Sequence, residues 1–400
     1  MATRSSAIGA RARDRARGRS RTRSRLHFGH PAVLLGIVTA VLVMLGLVMI
    51  LSASSVQSFA TNGSSFTFFR RQSIGAALGL VCFFAFVKLD YHRLRKLGYL
   101  MLVACFLLLV AVLIPGVGTV AGGSARWVPL GPFSFQPSEA AKLAIILFMA
   151  DVFARKKEET LQELGHTLVP ILPVVGAFAT LIMWQPDLGT TLLIGGISMG
   201  MLFVAGAPLR YIIPMGAVGG GLATVAALIE PYRRARVLAF LDPWSDPLRN
   251  GYQTIQGLIA LGSGGWLGVG LGASRQKWMY VPNAHTDFIF AILGEEMGLI
   301  GTFMVVGLFM FLTYLGVKIA QRAPDRFGML VASGITLWMA LQALVNMGAV
   351  TASLPITGVP LPLVSFGSTS LVISLVAMGI LVNIALQGRH PVPKNANRGR

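Results

Sequence analysis

Three carboxylates stand close together in a chain that is otherwise poor in charge. Asp287, Glu295 and Glu296 lie within VPNAHTDFIFAILGEEMGLIG at residues 281–301. The first part of this stretch is a polar loop, with Pro282 and Asn283 as loop residues, and the rest is an apolar run of helical length. An acid at such a junction has two readings. Thr286 or Asp287 can cap the following helix by accepting from its free N–H groups, or Asp287 can act chemically at a membrane–water boundary, at the positive end of the helix dipole. Glu295 comes two turns deeper and about 80° round the helix, and Glu296 points away from Asp287. Ionisable groups are costly near a lipid core, and those found there tend to mark sites or pathways.

Other polar residues could act with this acid. Arg126, beside Trp127, is an arginine in an otherwise nearly uncharged segment, 115–137. Gln136, Ser138, Glu139 and Lys142 follow; Glu139 and Lys142 are three apart and can pair on one helix face. The segment 230–289 carries Arg233, Arg234, Arg236, Arg249, Arg275 and Lys277. These cations are either ordinary solvated surface or a site for an anion, since arginine forks match phosphate oxygens. In Gln185-Pro186-Asp187, the proline ends one helix and Asp187 can cap the next. Gln342 and Asn346 fall in an apolar run, where they could line a cavity or bond a neighbouring helix. Glycines 262, 264, 265, 268, 270 and 272 permit a close-packed loop. There is no P-loop, dinucleotide fingerprint, serine elbow or metal-spaced His/Cys cluster.

The elements that must position these groups are membrane helices. Of 400 residues, 54% are hydrophobic and 12% charged, and apolar runs near bilayer-spanning length recur throughout. Hydropathy gives ten spans: 31–53, 72–88, 98–114, 138–153, 167–184, 188–206, 211–229, 290–318, 329–350 and 369–387. The expected fold is an all-α polytopic membrane protein with a large extracellular loop between helices 7 and 8. Lys88, Arg93, Arg95 and Lys96, then Arg155, Lys156 and Lys157, then Arg210, Lys318, Arg322 and Arg326 all fall on the side of the N-terminus, so both termini are expected in the cytoplasm.

Residues 1–27, with nine arginines and one acid, are expected to form a disordered cytoplasmic tail. Residues 28–388 form the membrane domain and 389–400 a basic cytoplasmic tail. A polybasic stretch directly before a first membrane helix reads as a topology anchor facing anionic lipid, not as a nucleic-acid site. The run from Pro31 is too long for the core of a cleavable signal. Cys82 and Cys105 fall within apolar runs and read as small buried residues.

Four stretches together resemble the SEDS family (shape, elongation, division and sporulation), which includes the FtsW and RodA proteins. They are GSARWVPLGPFSFQPSE at 123–139, QPDLGT at 185–190, YVPNAHTDFIFAILGEE at 280–296, and Val345-Asn346 followed by PITGVPLPLVS at 355–365. The likeness covers about residues 30–388. GLGASRQK at 270–277 and the Ala-His-Thr-Asp context are more similar to FtsW than to RodA. One departure is Ser368, where the family pattern has a second glycine.

The resemblance implies a peptidoglycan glycosyltransferase that polymerises lipid II, an undecaprenyl pyrophosphate-linked disaccharide pentapeptide, at the outer face of the bacterial cytoplasmic membrane, at the division septum. It implies a class B penicillin-binding protein as partner, with other divisome proteins. Asp287 would be the catalytic base. Arg126, Trp127, Gln136, Ser138, Glu139, Lys142, Arg275, Lys277, His285 and Thr286 are the candidate substrate-binding residues. A divalent ion, Mg²⁺ or Mn²⁺, bridging Asp287 and pyrophosphate is left open. Forming a β-1,4 link from an α-linked donor inverts the anomeric carbon, which needs one base and a stabilised leaving group. The alternatives are a lipid II flippase, for which many spans and broken helices also suit, a scaffold without chemistry, and the elongation role of RodA.

Overall fold

In a lipid interior every backbone group needs a partner within the chain, and helices supply it. The computed structural model describes residues 30–121, 124–131, 133–157 and 159–388; the expected tails, 1–27 and 389–400, lie outside these. Thirteen α-helices are described: α1 Pro31–Asn62, α2 Thr67–Lys88, α3 Leu94–Leu113, α4 Pro137–Ala154, α5 Leu164–Leu168, α6 Leu172–Trp184, α7 Leu188–Ala205, α8 Leu209–Ile229, α9 Pro231–Leu241, α10 Tyr252–Ser263, α11 Ile289–Gln321, α12 Arg326–Val350 and α13 Ser368–Gln387. Eight of them (α1, α2, α3, α7, α8, α11, α12 and α13) are long and apolar enough to cross a membrane, α3 together with the short turn that precedes it. The other two expected spans coincide with α4 and with the 13-residue α6.

Local signals set the helix ends. Pro31 opens α1, and His30 Nδ1 accepts from Ala32 N–H at 3.2 Å. Gly63, in the left-handed conformation, closes it. At 32 residues α1 is about 48 Å long, beyond a hydrocarbon core of about 30 Å, so it runs on past the end expected at residue 53. Asp187 caps α7, accepting from Thr190 N–H at 3.0 Å and Thr190 Oγ1 at 2.9 Å. Ser368 begins α13 in ordinary helical geometry, and its hydroxyl faces Arg71 O at 3.4 Å.

The bundle is built around α4, which is buried along nearly its whole length and packs against α3, α7, α12 and α13. Small residues allow close helix approach where lipid gives no hydrophobic drive: a methyl added to Gly379 of α13 would stand 2.6 Å from Phe83 O of α2. By contrast α8 has one buried residue, Ala227, and presents its other faces outward.

Two features depart from the expectation. The chain is not entirely α-helical: Thr119–Ala121, Ser124–Leu130 and Phe133–Phe135 form an antiparallel sheet, β1-β2-β3. Strands of three to seven residues in a Gly/Pro-rich segment leave little hydropathy signal. In addition, α11 is broken at Gly298, whose φ of 66° and ψ of −165° are non-helical. The glycine-rich stretch after α10 repairs the break. Leu299 N–H donates to Gly265 O and Ile300 N–H to Trp266 O, while Glu295 O and Glu296 O accept from Val269 and Gly270 N–H. A methyl on Gly298 would stand 2.3 Å from Gly268 N, so only glycine fits this crossing.

Candidate functional site

Asp287 lies in the loop immediately before α11, and it is not the helix cap. Phe288 holds that position without any side-chain cap bond, and the turn is closed by backbone: Thr286 and Phe288 N–H both donate to Asn283 O. The capping expectation is therefore corrected for both candidates, since Thr286 Oγ1 also donates to Asn283 O. The Asp287 carboxylate is half-buried and accepts no hydrogen bond among the described residues. A methyl on Gly358, which has φ +73°, would stand 3.6 Å from Asp287 Oδ2. Burial raises the Asp287 carboxyl from 3.8 to about 6, with Arg236 and Arg126 opposing the rise and Asp187 adding to it. Arg236, Asp187 and Arg126 are thus the charges near enough to act on the carboxylate.

Arg126 reaches this site from β2. Its Nε donates to Gln185 O at 2.8 Å and one Nη to Pro186 O at 2.7 Å, and the guanidinium lies 3.9 Å from Asp187 Oδ2. The guanidinium thus fastens the sheet to the turn between α6 and α7, and its side chain stays a quarter exposed. Trp127 is half-buried beside it, with its carbonyl accepting from Thr119. Gln136 N–H faces Thr369 Oγ1 at 3.4 Å, tying the end of the sheet to α13.

The expected pairing of Glu139 with Lys142 is present: Lys142 Nζ donates to Glu139 Oε1 at 2.7 Å, and both side chains are sealed from solvent. The pair does not form an open mouth to the fourth span. Lys142 turns toward α12, donating to Gln342 Oε1 at 2.8 Å and lying over the Trp338 ring. Ser138 is equally buried, with its hydroxyl unpartnered among the described residues.

The cations of the 270–277 stretch separate. Arg275 is exposed, and its backbone N–H is held by Glu295 Oε1 at 2.9 Å. Lys277 is buried, lying 3.6 Å from Glu296 Oε1 and donating to Ser52 Oγ and Gly272 O. Glu295 further accepts from Ser274 Oγ and Gln276 N–H, and Glu296 from Ser52 Oγ at 2.5 Å. The two deeper acids of the opening motif therefore anchor the loop that repairs the broken helix. Ser52, a hydroxyl inside the first apolar run, gave the sole sequence sign of this contact.

His285 is buried and stacked on Phe68 with ring centroids 4.8 Å apart, and burial lowers its imidazole to about 4, so it is neutral at pH 7. Thr286 O accepts from Ser365 Oγ at 2.7 Å. Of the candidate residues, the structure thus brings Asp287 and Arg126 to one place, with Asp187 and Arg236. It gives Glu139, Lys142, Lys277, His285 and Thr286 partners within the protein.

Comparisons with known proteins agree with this architecture. The family model of FtsW, RodA and SpoVE, described as "Cell cycle protein", matches residues 32–390. Stage V sporulation protein E of Bacillus subtilis is 43% identical over 360 residues, 90% of this chain and 98% of that protein. A probable peptidoglycan glycosyltransferase FtsW of Geobacter sp. is 40% identical, covering 87% of this chain and 95% of the relative. Among solved structures, one from work on a peptidoglycan synthase complex that coordinates polymerization and crosslinking matches with a TM-score of 0.73 at 30% identity, covering 88% of this chain and 97% of that one. The rod shape determining protein RodA of Thermus thermophilus matches at 0.67 and 27% identity, over 92% and 99% of the two chains. The helices, the order of the motifs and these matches along nearly the whole length establish that this chain is an integral membrane protein of the FtsW/RodA/SpoVE (SEDS) family.

Proposed function

We propose that this chain is a peptidoglycan glycosyltransferase that polymerises lipid II at the outer membrane face, with Asp287 as general base. The observation that carries the reading is the Asp287 carboxylate: half-buried, without a hydrogen bond among the described residues, and within electrostatic reach of Arg236, Asp187 and Arg126. A base near 6 is mostly ionised at pH 7 yet retains proton affinity, which suits general-base work. In the step proposed, Asp287 takes the acceptor hydroxyl proton and the hydroxyl oxygen bonds to the donor anomeric carbon with inversion. The bond to pyrophosphate breaks, and its electron pair leaves with the undecaprenyl pyrophosphate. Arg126 and Arg236 are the cations placed to offset the charge on that leaving group, and exposed Arg275 is a further contact.

A divalent ion would supply Lewis-acid help to the leaving group. No group of three His, Cys, Asp or Glu residues able to hold one occurs among the described residues, and both Asp187 oxygens already serve Thr190. Asp287 would hold such an ion alongside the substrate.

The charge bias supports an orientation with both termini cytoplasmic, which puts Asp287 outside. Relatives named FtsW at about 40% identity favour a septal role with a class B penicillin-binding protein and other divisome proteins. The relative named for sporulation points to sporulation as another setting for the family. Purified protein reconstituted with lipid II and a class B partner should yield glycan polymer. Transbilayer movement of lipid II without polymer would overturn the assignment in favour of a flippase.

A further inference from the structure

The loop that bears Asp287 is tied to α12 through two amide side chains one helical turn apart, Gln342 and Asn346, both fully buried. Gln342 Oε1 accepts from Lys142 Nζ at 2.8 Å and from Trp338 Nε1 at 2.6 Å. Both partners are pure donors, so the amide orientation is fixed and Nε2 must point the other way. There it donates to Pro360 O at 2.9 Å. Asn346 Nδ2 donates to two carbonyls at once, Asp287 O at 2.8 Å and Val359 O at 2.9 Å. Two acceptors leave no choice of orientation here either, and Asn346 Oδ1 remains buried without a partner among the described residues. The segment held by Pro360 O and Val359 O brings Gly358 against the Asp287 carboxylate. It also packs on the capped start of α7, where a methyl on Gly189 would stand 2.5 Å from Thr357 O.

We propose that Gln342 and Asn346 are positioning residues: a clamp on one face of α12 that fixes the Asp287 loop and the 357–360 segment in a single register, with the sealed Glu139–Lys142 pair setting the orientation of the Gln342 amide. This inference rests on the reading of Asp287 as the base. The clamp touches backbone carbonyls, so it acts on where Asp287 stands, not on its proton. It also accounts for an asparagine that leaves a buried acceptor unpaired, because its two donors join segments about 70 residues apart in sequence.

The test compares Asn346→Leu and Asn346→Asp in the reconstituted full-length protein. Both lose the donor, one as an apolar isostere and one as a polar one. Turnover should fall by about 10- to 100-fold, the scale of ångström-level misplacement, with KM for lipid II nearly unchanged. Amide hydrogen exchange should rise together in peptides covering 284–288 and 355–361 while the body of α12 stays protected. In the leucine variant the acid limb of the rate should move below that of the wild type. Release from burial lowers the carboxyl, while Arg126, Arg236 and Asp187 remain as its charged neighbours. Exchange unchanged in either segment, or wild-type turnover in both variants, would overturn the clamp. Full activity of Asp287→Asn would instead remove the base, and the exchange result would still decide whether the two segments are coupled.

Discussion

Asp151 and Asp325, at one end of the bundle, contrast with Asp287 at the other. At the end that the charge bias assigns to the cytoplasm, acids are engaged by neighbours. Asp151 Oδ2 meets Arg155 at 2.6 Å and the Tyr99 hydroxyl at 2.9 Å, with Arg95 Nε 3.8 Å from Oδ1. Asp325 accepts from the Tyr91 hydroxyl at 2.6 Å and Gly328 N–H at 2.9 Å, and lies 3.4 Å from Arg95. These contacts join α3, α4 and the α11–α12 turn. At the other end Asp187 is spent on a helix cap, while Asp287, close enough to feel its charge, has a carboxylate that accepts no hydrogen bond among the described residues. Acids that hold helices together accept hydrogen bonds from their neighbours, even though Asp151 Oδ1 has no such partner among the described residues, and one kept for a substrate accepts none.

Mutations can break that contrast. The largest effect on folding is expected at the sealed Glu139–Lys142 pair. Losing one partner leaves a lone buried charge, so Glu139→Gln or Lys142→Met should each cost about 3–5 kcal/mol, and the double variant less than either. Thermal unfolding in detergent measures this, and a double variant no more stable than both singles would deny the pairing. Arg126→Lys keeps the charge but gives up the two-carbonyl fork. Polymerisation should fall on the order of 10-fold, and further in Arg126→Ala; equal rates in all three proteins would make the arginine surface decoration. Asp151→Asn should lower stability by about 1–3 kcal/mol yet leave turnover per folded molecule near wild type. A loss of turnover there would mean that the inner end takes part in the chemistry.

The smallest effect is a pH dependence. Because burial raises the Asp287 carboxyl to about 6, above its unfolded value near 3.8, this residue favours the fold fully below about pH 4, and that contribution is lost as pH rises through about 6. Activity runs the other way, since only the carboxylate accepts a proton. The rate should halve near pH 6 on acidification, while stability does not fall with it.

Much of this architecture is legible in the chain, because helices in lipid must be long and apolar and their loop charges sort by side. The Glu139–Lys142 spacing and the Asp187 cap are local patterns, and each takes the form its spacing suggests. What escapes is non-local. Lys277 reads as a free outer cation, but its partners Ser52 and Glu296 come from α1 and from the far side of a broken helix. Nothing in Glu295-Glu296-Met297-Gly298 announces that a loop 30 residues upstream replaces the missing ladder. Asp287 is eligible as a cap by residue type, but the Asn283 turn satisfies the backbone first and leaves the carboxylate without a hydrogen bond among the described residues.

We propose that the outer carboxylate does chemistry while the inner ones hold structure. It is tested most directly by measuring glycan chain formation from lipid II by wild type, Asp287→Asn and Asp151→Asn side by side, with unfolding and lipid II binding measured on the same preparations. A folded, substrate-binding Asp287→Asn protein should polymerise about 10²–10⁴-fold more slowly, beside an Asp151→Asn protein that polymerises normally once folded. Wild-type polymer lengths and rates from Asp287→Asn would contradict the proposal.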